Sequence, residues 1–290
     1  MSATAVNASI ITIGDELLIG QTIDTNSAFI AQELNKIGVW VRRRLAVGDV
    51  YDDIWKALDE ERKQSQIIII TGGLGPTADD ITKPLLCKYF GGKLVVDEKV
   101  LEHVKHLFEK VFRRPGPMLE RNLKQAEVPD VCKVLHNERG TAPGMLFKKD
   151  GVVFISLPGV PHEMKGLITS KVIPYLLSAF EMPAIVHYTA FTFGQGESML
   201  AELLKDFEPS LPSHIKLAYL PNYGMVKLRL TSQGDNKEEV EKELLPYFEK
   251  LQELVKEYLV TDKDEGLETV VGQLLKAKGK TMATAESCTG

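Results

Sequence analysis

The chain has 290 residues, of which 44% are hydrophobic and 26% charged, and its formal net charge is −5 at pH 7. These values are typical of a globular protein of about two domains and exclude intrinsic disorder for the chain as a whole. The longest apolar runs are far too short to cross a bilayer, so we expect no membrane association. Three widely spaced cysteines exclude a disulfide framework, and the absence of a signal-peptide pattern favours the cytoplasm.

The first half of the sequence alternates predicted strands with predicted helices. Apolar runs at 8–14, 39–47, 67–70 and 152–157 indicate strands, and helical patterns lie at 30–37, 52–63 and 81–90, from Asp97 and from His162. The run at 67–70 contains only isoleucine, which indicates a strand buried on both faces. Such alternation predicts a parallel sheet covered by helices on both faces.

The pattern changes after Pro174. Strands are predicted at 186–193, 215–220 and 225–230, with a turn-rich link at 221–224, and a helix is predicted at 199–207. A long helix then runs from Val240 towards Tyr258, and Pro246 is expected to kink it. These elements predict a small α+β unit of roughly ninety residues. A charged linker at 262–266 and a short final segment follow.

The strongest functional signal is the run 71–80, which reads TGGLGPTADD and directly follows the predicted buried strand. In an open α/β sheet, ligands bind beyond the carboxyl ends of the strands. The glycines would let backbone N–H groups approach an anion closely, and the helix that follows adds a favourable dipole. The run therefore predicts a phosphate-binding loop at Gly72, Gly73 and Gly75.

Two adjacent carboxylates, Asp79 and Asp80, end this loop. They would repel a phosphate unless a divalent cation lay between them and the phosphate, so the sequence predicts a metal site. The alternative is structural, because Thr77 and Asp80 have the spacing of a helix capping box. A capping box would explain Asp80, but it would explain neither the glycines nor Asp79.

Further acids follow the other predicted strands. Asp15 and Glu16 end the first strand, Asn26 opens the next helix, and Asp49 follows the second strand. Parallel strands end at one edge of the sheet, so these side chains are expected near Asp80. The alternatives are a solvated loop that caps the next helix and, for Asp49, a helix cap.

Two Gly/Pro-rich loops complete the pattern, NERGTAPG at 137–144 and PGVPHEM at 158–164. A plain turn would explain each of them alone. The second again follows a predicted strand, so the α/β order could place all four loops at one edge of the sheet.

The motifs GDELLIG, TGGLGPTADDIT, NERGTAPG and PGVPHEM occur in this order and closely resemble the competence/damage-inducible protein A family, CinA. The resemblance implies a three-layer, mostly parallel α/β domain of the molybdopterin-binding type over 1–176. It implies a smaller KH-like α+β domain over 177–262. Residues 263–290 would be a linker and the opening of a nicotinamide mononucleotide amidohydrolase domain.

The same resemblance implies an enzyme that hydrolyses the pyrophosphate of ADP-ribose to AMP and ribose 5-phosphate with a divalent metal ion (Mg, Mn or Co). It implies catalytic roles for Asp15, Glu16 and Asp80, and metal ligation by Asp79, Asp80 and Asp49. The substrate-binding residues are then expected to be Asn26, Gly72, Gly73, Gly75, Thr77, Asn137, Gly140, Thr141, Gly144, Pro158, Gly159 and Glu163.

Two other functions stay open at this point. One is a molybdopterin- or nucleotide-binding module without hydrolysis. The other is nucleic-acid binding by the KH-like unit, which is disfavoured because Gly194-Gln195-Gly196 is not a GxxG loop and the chain is acidic. The resemblance further implies a homodimer.

Ser287, in the run ESCTG, matches the nucleophile of the family's deamidase domain. A serine is a weak nucleophile unless a neighbouring group activates it. The sequence given stops at Gly290, so we expect no deamidation of nicotinamide mononucleotide by this chain.

Overall fold

The computed structural model describes residues 6–77, 80–111, 118–263 and 265–287. The chain divides into two compact units between Pro183 and Ala184. Within the described residues, no helix is both long and apolar enough to span a bilayer. Cys87 and Cys132 are free thiols, and Cys288 lies outside the described residues.

The first unit is built on a six-stranded sheet and a two-stranded ribbon. Its strands are β1 (Asn7–Ile13), β2 (Trp40–Val47), β3 (Ile67–Thr71), β4 (Leu94–Val96), β5 (Glu127–Pro129), β6 (Lys133–Leu135), β7 (Gly144–Lys149) and β8 (Val152–Leu157). The large sheet has the order β2-β1-β3-β8-β7-β6, and β4 pairs with β5. The four strands β2, β1, β3 and β8 are parallel, so their carboxyl ends share one edge.

Helices cover both faces of this sheet. They are α1 (Asp15–Leu18), α2 (Thr25–Lys36), α3 (Tyr51–Glu61), α4 (Thr82–Tyr89), α5 (Glu98–His106), α6 (Glu120–Leu123), α7 (Pro161–Leu167) and α8 (Ile173–Ala179). A 3₁₀ turn (Lys124–Ala126) and two π-helical turns (Leu107–Val111 and Ile168–Val172) extend them. One core joins the sheet to α2, α7 and α8, and the other joins it to α3 and α4. The predicted three-layer arrangement is confirmed.

Strand β3 lies at the centre of this arrangement. All four of its isoleucines are fully buried, two in each core, because successive side chains of a strand point to opposite faces. Its neighbours β1 and β8 both run parallel to it. The predicted doubly buried strand is therefore confirmed, and its carboxyl end fixes where the glycine-rich loop begins.

The sheet departs from a purely parallel one at β7, which runs antiparallel to both of its neighbours, β8 and β6. The physical reason is the connection between β7 and β8, a two-residue turn of Asp150 and Gly151. Both residues have positive φ, +52° and +78°, as a tight hairpin turn requires. A parallel crossover needs a far longer connection. The Asp-Gly pair is visible in the sequence and is the signal that the alternation argument overlooked.

The second unit is an antiparallel sheet with helices. Its elements are β9 (Ala184–Phe193), α9 (Glu197–Leu203), β10 (Lys216–Asn222), β11 (Met225–Gly234), α10 (Lys237–Leu254), β12 (Leu259–Thr261) and α11 (Leu267–Ala277), with a 3₁₀ turn at Glu208–Ser210. The strand order is β10-β11-β9-β12. The predicted four-residue link is shorter than expected, because β10 continues through Asn222 and only Tyr223 and Gly224 turn the chain. Gly224 provides the positive φ, +67°.

Candidate functional site

A cavity of about 360 Å³ lies at the edge of the first unit's sheet, where the parallel strands end. Loops after β1, β2, β3 and β8 all contribute to its wall, as expected for an open α/β sheet. Of the residues predicted from the sequence, those that line it are Glu16, Asn26, Asp49, Gly72, Gly73, Gly75, Asp80 and Gly159. We call this space the acidic cavity.

The glycine-rich loop needs its first two glycines because its backbone lies very close to neighbouring residues. A Cβ atom at Gly72 would lie 2.1 Å from the carbonyl oxygen of Ile13, and one at Gly73 would lie 2.1 Å from Oγ1 of Thr82. Both glycines have positive φ, +113° and +62°, which side-chain-bearing residues rarely adopt. The loop backbone is therefore packed tightly between the end of β1 and the start of α4.

Asp80 holds the C-terminal part of this loop in place by hydrogen bonds. Its Oδ1 accepts a hydrogen bond from the N–H of Gly75 at 2.7 Å, and its Oδ2 accepts one from the N–H of Thr77 at 2.9 Å and another from the Thr77 hydroxyl. The helix α4 begins later, at Thr82, and its N-cap residue Ile81 makes no side-chain cap. Asp80 therefore fixes the loop and does not cap the helix.

The acids after β1 and β2 bind to each other's backbone. The N–H of Asp15 donates to Oδ2 of Asp49, and the N–H of Asp49 donates to Oδ1 of Asp15, both at 3.1 Å. The N-cap residue of α3 is Val50 rather than Asp49, and Val50 makes no side-chain cap. Glu16 and Asp49 line the cavity, whereas Asp15 is exposed outside its wall.

Asn26 joins two loops of the cavity wall. Its Nδ2 donates to the carbonyl oxygen of Gly159 at 2.7 Å and to Oγ1 of Thr71 at 3.4 Å. The Thr71 hydroxyl donates in turn to the carbonyl oxygen of Pro158 at 3.0 Å. Asn26 Oδ1 is buried and accepts no hydrogen bond within the described structure. The first turn of α2 is thus tied to the loop before α7.

The charged side chains among the described lining residues of the cavity are all acidic. Four carboxylates line it, those of Glu16, Asp24, Asp49 and Asp80, while its described lining residues include no lysine, arginine or histidine. A phosphate could bind there only through backbone N–H groups or a cation. No cluster of three or more His, Cys, Asp or Glu side chains in the described part of the chain is arranged to hold a metal ion. Asp79 lies outside the described residues.

Two predicted residues of the NERGTAPG loop, Asn137 and Gly140, form a separate cluster with Glu163. The Nδ2 atom of Asn137 donates to Oε2 of Glu163 at 2.6 Å and to the carbonyl oxygen of Ala142 at 2.9 Å. A Cβ at Gly140 would lie 2.0 Å from the Glu163 carboxyl carbon. Burial raises the pKa of Glu163, and the hydrogen bond from Asn137 opposes that rise. We call Asn137, Gly140 and Glu163 the Asn137 cluster.

None of this cluster lines the acidic cavity, nor do Thr141 and Gly144. Gly144 is the first residue of β7 and packs near Leu135 and Leu157. Thr77 and Pro158 also lie outside the wall, although each bonds to a residue that lines it. Ser287 is exposed in the second unit.

Lys83, in the first turn of α4, is a buried charged residue that the sequence argument missed. Its Nζ donates to the carbonyl oxygens of Gln125 at 3.1 Å and Lys124 at 3.4 Å. Burial lowers the pKa of Lys83 to about 8, against the opposing attraction of Glu127 and Asp80. Lys83 does not line the cavity, although its charge is attracted to Asp80, which does.

Several residues of the cavity wall were also missed, among them Thr71, Ile23 and Val160. Thr71 is the last residue of the buried strand, and its position could have been read from the end of the isoleucine run. Ile23 has no sequence signal, because single apolar residues in loops are common. Val160 lies in the PGVPHEM loop, but nothing in that motif singles out its side chain.

The chain is similar to known proteins in both of its units. A family model described as a probable molybdopterin binding domain matches residues 9–178, and one described as the damage-inducible protein CinA KH domain matches residues 189–261. A CinA-like protein of Flavobacterium psychrophilum is 50% identical over 286 residues, which are 98% of this chain and 68% of that protein. The chain belongs to the CinA family. The predicted family and its order of an α/β domain before a KH-like domain are thereby confirmed.

Other CinA relatives agree. A putative competence-damage inducible protein of Caldicellulosiruptor bescii is 41% identical over 284 residues, which are 98% of this chain and 68% of that protein. A crystal structure of CinA from Thermoplasma acidophilum, described as of unknown function, has a TM-score of 0.54 and 37% identity. It covers 59% of this chain and 99% of its own.

Proposed function

We propose that this CinA-family chain hydrolyses the pyrophosphate bond of ADP-ribose to AMP and ribose 5-phosphate with a divalent metal ion. The observation that carries the proposal is the acidic cavity, where a tightly turned glycine loop faces four carboxylates and the described wall has no basic side chain. That combination suits a ligand that is anionic itself and arrives with a cation.

The donor chemistry of the wall fits such a cation. Carboxylate oxygens are the ligands that Mg²⁺ and Mn²⁺ prefer, and Mg²⁺ needs only one or two of them because water and phosphate oxygens complete its shell. Asp49 and Asp80 would hold the ion, with Asp79 as a further predicted ligand. When bound, it would neutralise phosphate charge and lower the pKa of a water ligand.

The loop itself would bind phosphate through specific N–H groups. The N–H of Gly72 donates to Leu157, and those of Gly75 and Thr77 donate to Asp80. Within the described part of the loop this leaves the N–H groups of Gly73 and Leu74 for the ligand. Such fixed donors stabilise the charge that develops on phosphate oxygens during hydrolysis.

Glu16 is the better candidate to orient the attacking water. It lines the cavity, whereas Asp15 lies outside the wall and holds Asp49. A carboxylate that reaches the ligand can accept the proton of the water. One that acts through a neighbouring carboxylate only positions that neighbour. We therefore assign Asp15 the role of positioning Asp49.

A second function, binding without hydrolysis, is favoured by one observation. The oxygens of Asp80 already accept hydrogen bonds from the loop, and Asp15 and Asp49 are bonded to each other. Carboxylates arranged in this way could serve mainly to shape a binding loop. The activity experiment distinguishes the two functions.

The test is incubation of the purified chain with ADP-ribose and Mg²⁺, Mn²⁺, Co²⁺ or a chelator, with the products separated by chromatography. We expect AMP and ribose 5-phosphate with at least one metal and none with the chelator. Asp49→Asn should remove the activity, and Asp53→Asn, at an exposed position of α3, is the matched control. Metal-independent turnover, or an unaffected Asp49→Asn variant, would refute the proposed metal site. Binding of ADP-ribose without turnover would establish the second function.

A further inference from the structure

Two exposed aliphatic side chains stand out in the wall of the acidic cavity. The exposed fraction of Ile23 is 84% and that of Val160 is 53%, and both line the cavity. Exposed apolar residues are ordinary when they are scattered. Two that line the same space as four carboxylates are not explained by packing, and none of the polar chemistry proposed above uses them.

Hydrogen bonds hold the residues next to these two side chains. Ile23 lies in the loop before α2 and Val160 in the loop before α7, and the hydrogen bond from Asn26, in the first turn of α2, to Gly159 joins α2 to the second loop at 2.7 Å. Asp24, next to Ile23, caps α2 by accepting the N–H of Ser27 at 2.9 Å. The aliphatic pair is thus held by hydrogen bonds on both loops.

The cavity is consequently amphipathic. Its glycine loop and carboxylates suit a phosphate and its cation, and its aliphatic residues suit a flat apolar group attached to that phosphate. A volume of about 360 Å³ falls in the usual range for a small-molecule site. A nucleoside diphosphate has this combination of groups, because its planar base carries apolar faces and its phosphates carry charge.

We propose that Ile23 and Val160 form the subsite for the heteroaromatic base of a nucleoside diphosphate ligand whose phosphates lie at the loop of Gly72–Gly75. This inference rests on the proposed function and names the part of the ligand that the aliphatic side chains recognise. The Asn26 amide is a positioning group here, since it ties the start of α2, which follows Ile23, to the loop that carries Val160.

The test separates the base from the phosphates. Calorimetry in the presence of Mg²⁺ compares ADP-ribose, supplied as its methylene-bridged analogue so that hydrolysis adds no heat, with inorganic pyrophosphate, which has no base. We expect Ile23→Ser and Val160→Ser each to weaken ADP-ribose binding about tenfold and to leave pyrophosphate binding unchanged, because only apolar contact area is lost. Ile23→Val should restore most of the affinity. Leu177→Ser, at a similarly exposed residue of α8 outside the cavity, is the control and should change neither ligand.

Three outcomes would overturn the proposal. Equal losses for ADP-ribose and pyrophosphate would mean that the side chains act on the whole site. Unchanged ADP-ribose affinity with a shift from dimer to monomer in sedimentation would mean that a second copy covers these residues. Failure of the unmodified chain to bind either ligand would refute the proposed function itself, and the base subsite with it.

Discussion

The acidic cavity and the Asn137 cluster are formed by loops of similar sequence, but the two regions have different structures. Both come from loops rich in glycine and acids at one edge of the sheet. In the cavity, Asp80 binds backbone N–H groups of its own loop and still lines open space. In the cluster, Glu163 pairs with the Asn137 side chain and packs on Gly140. An acid beside glycines can thus face a ligand only where the backbone leaves room in front of it.

The largest expected effect tests this difference directly. Asp80→Asn should lower ADP-ribose turnover by about a hundredfold or more, because it removes a proposed metal ligand and weakens the loop. Glu163→Gln, an equivalent change in the Asn137 cluster, should leave turnover within about threefold, since Glu163 lies outside the wall. Steady-state kinetics on both variants is the measurement. Equal losses would show that the two regions act as one site.

Lys83 extends the comparison to a buried cation near the same loop. The unfolded chain keeps the Lys83 proton up to about pH 10.5, but the folded chain keeps it only to about 8. The unfolded state therefore binds more protons between these values, and the free energy of unfolding should rise with pH there by up to roughly 3 kcal/mol. Urea denaturation across this range should show the rise, and Lys83→Met should lack it. An identical pH profile in the variant would contradict the burial effect.

Two glycines with similar backbone angles differ in the space available around them. Gly73 and Gly91 have φ of +62° and +72°, but only a Cβ at Gly73 meets another atom, Oγ1 of Thr82. Gly91→Ala should cost about 1 kcal/mol of unfolding free energy for its backbone angle. Gly73→Ala should cost about 1–3 kcal/mol more from overpacking. Denaturant unfolding measures both, and equal costs would show that Thr82 moves aside freely.

The smallest effect concerns the hydrogen bond inside the Asn137 cluster. Asn137→Ala should lower the unfolding free energy at neutral pH by about 1 kcal/mol, because the Glu163 carboxylate loses a donor. The pKa of Glu163 is already raised by burial and should rise further. The folded state holds the Glu163 proton more strongly than the unfolded state does. The free energy of unfolding therefore falls as the pH increases through the Glu163 pKa of the folded state. In the variant this fall should extend to higher pH, because that pKa is higher. An NMR titration of Glu163 checks the direction, and a lowered pKa would contradict it.

The sequence predicted the layers of the first unit well because its signals there are local. Four consecutive isoleucines require burial on both faces, and helical spacing beside them requires helices to cover those faces. The reversed strand β7 was not predicted because one Asp-Gly turn, between β7 and β8, reverses the chain against the surrounding pattern. Side-chain direction at the sheet edge depends on long-range hydrogen bonds such as Asn26 to Gly159, which spacing along the chain does not reveal.

The central position of β3 has a consequence for amide hydrogen exchange. The amides of Ile68, Ile69 and Ile70 lie between two parallel neighbours in a doubly covered sheet, so we expect them to exchange only when the domain unfolds. A few residues on, the amides of Gly75 and Thr77 are held by the carboxylate of Asp80. Those two protons should exchange through local opening. The boundary between slow and fast exchange in this chain therefore falls inside the glycine loop, at the edge of the acidic cavity.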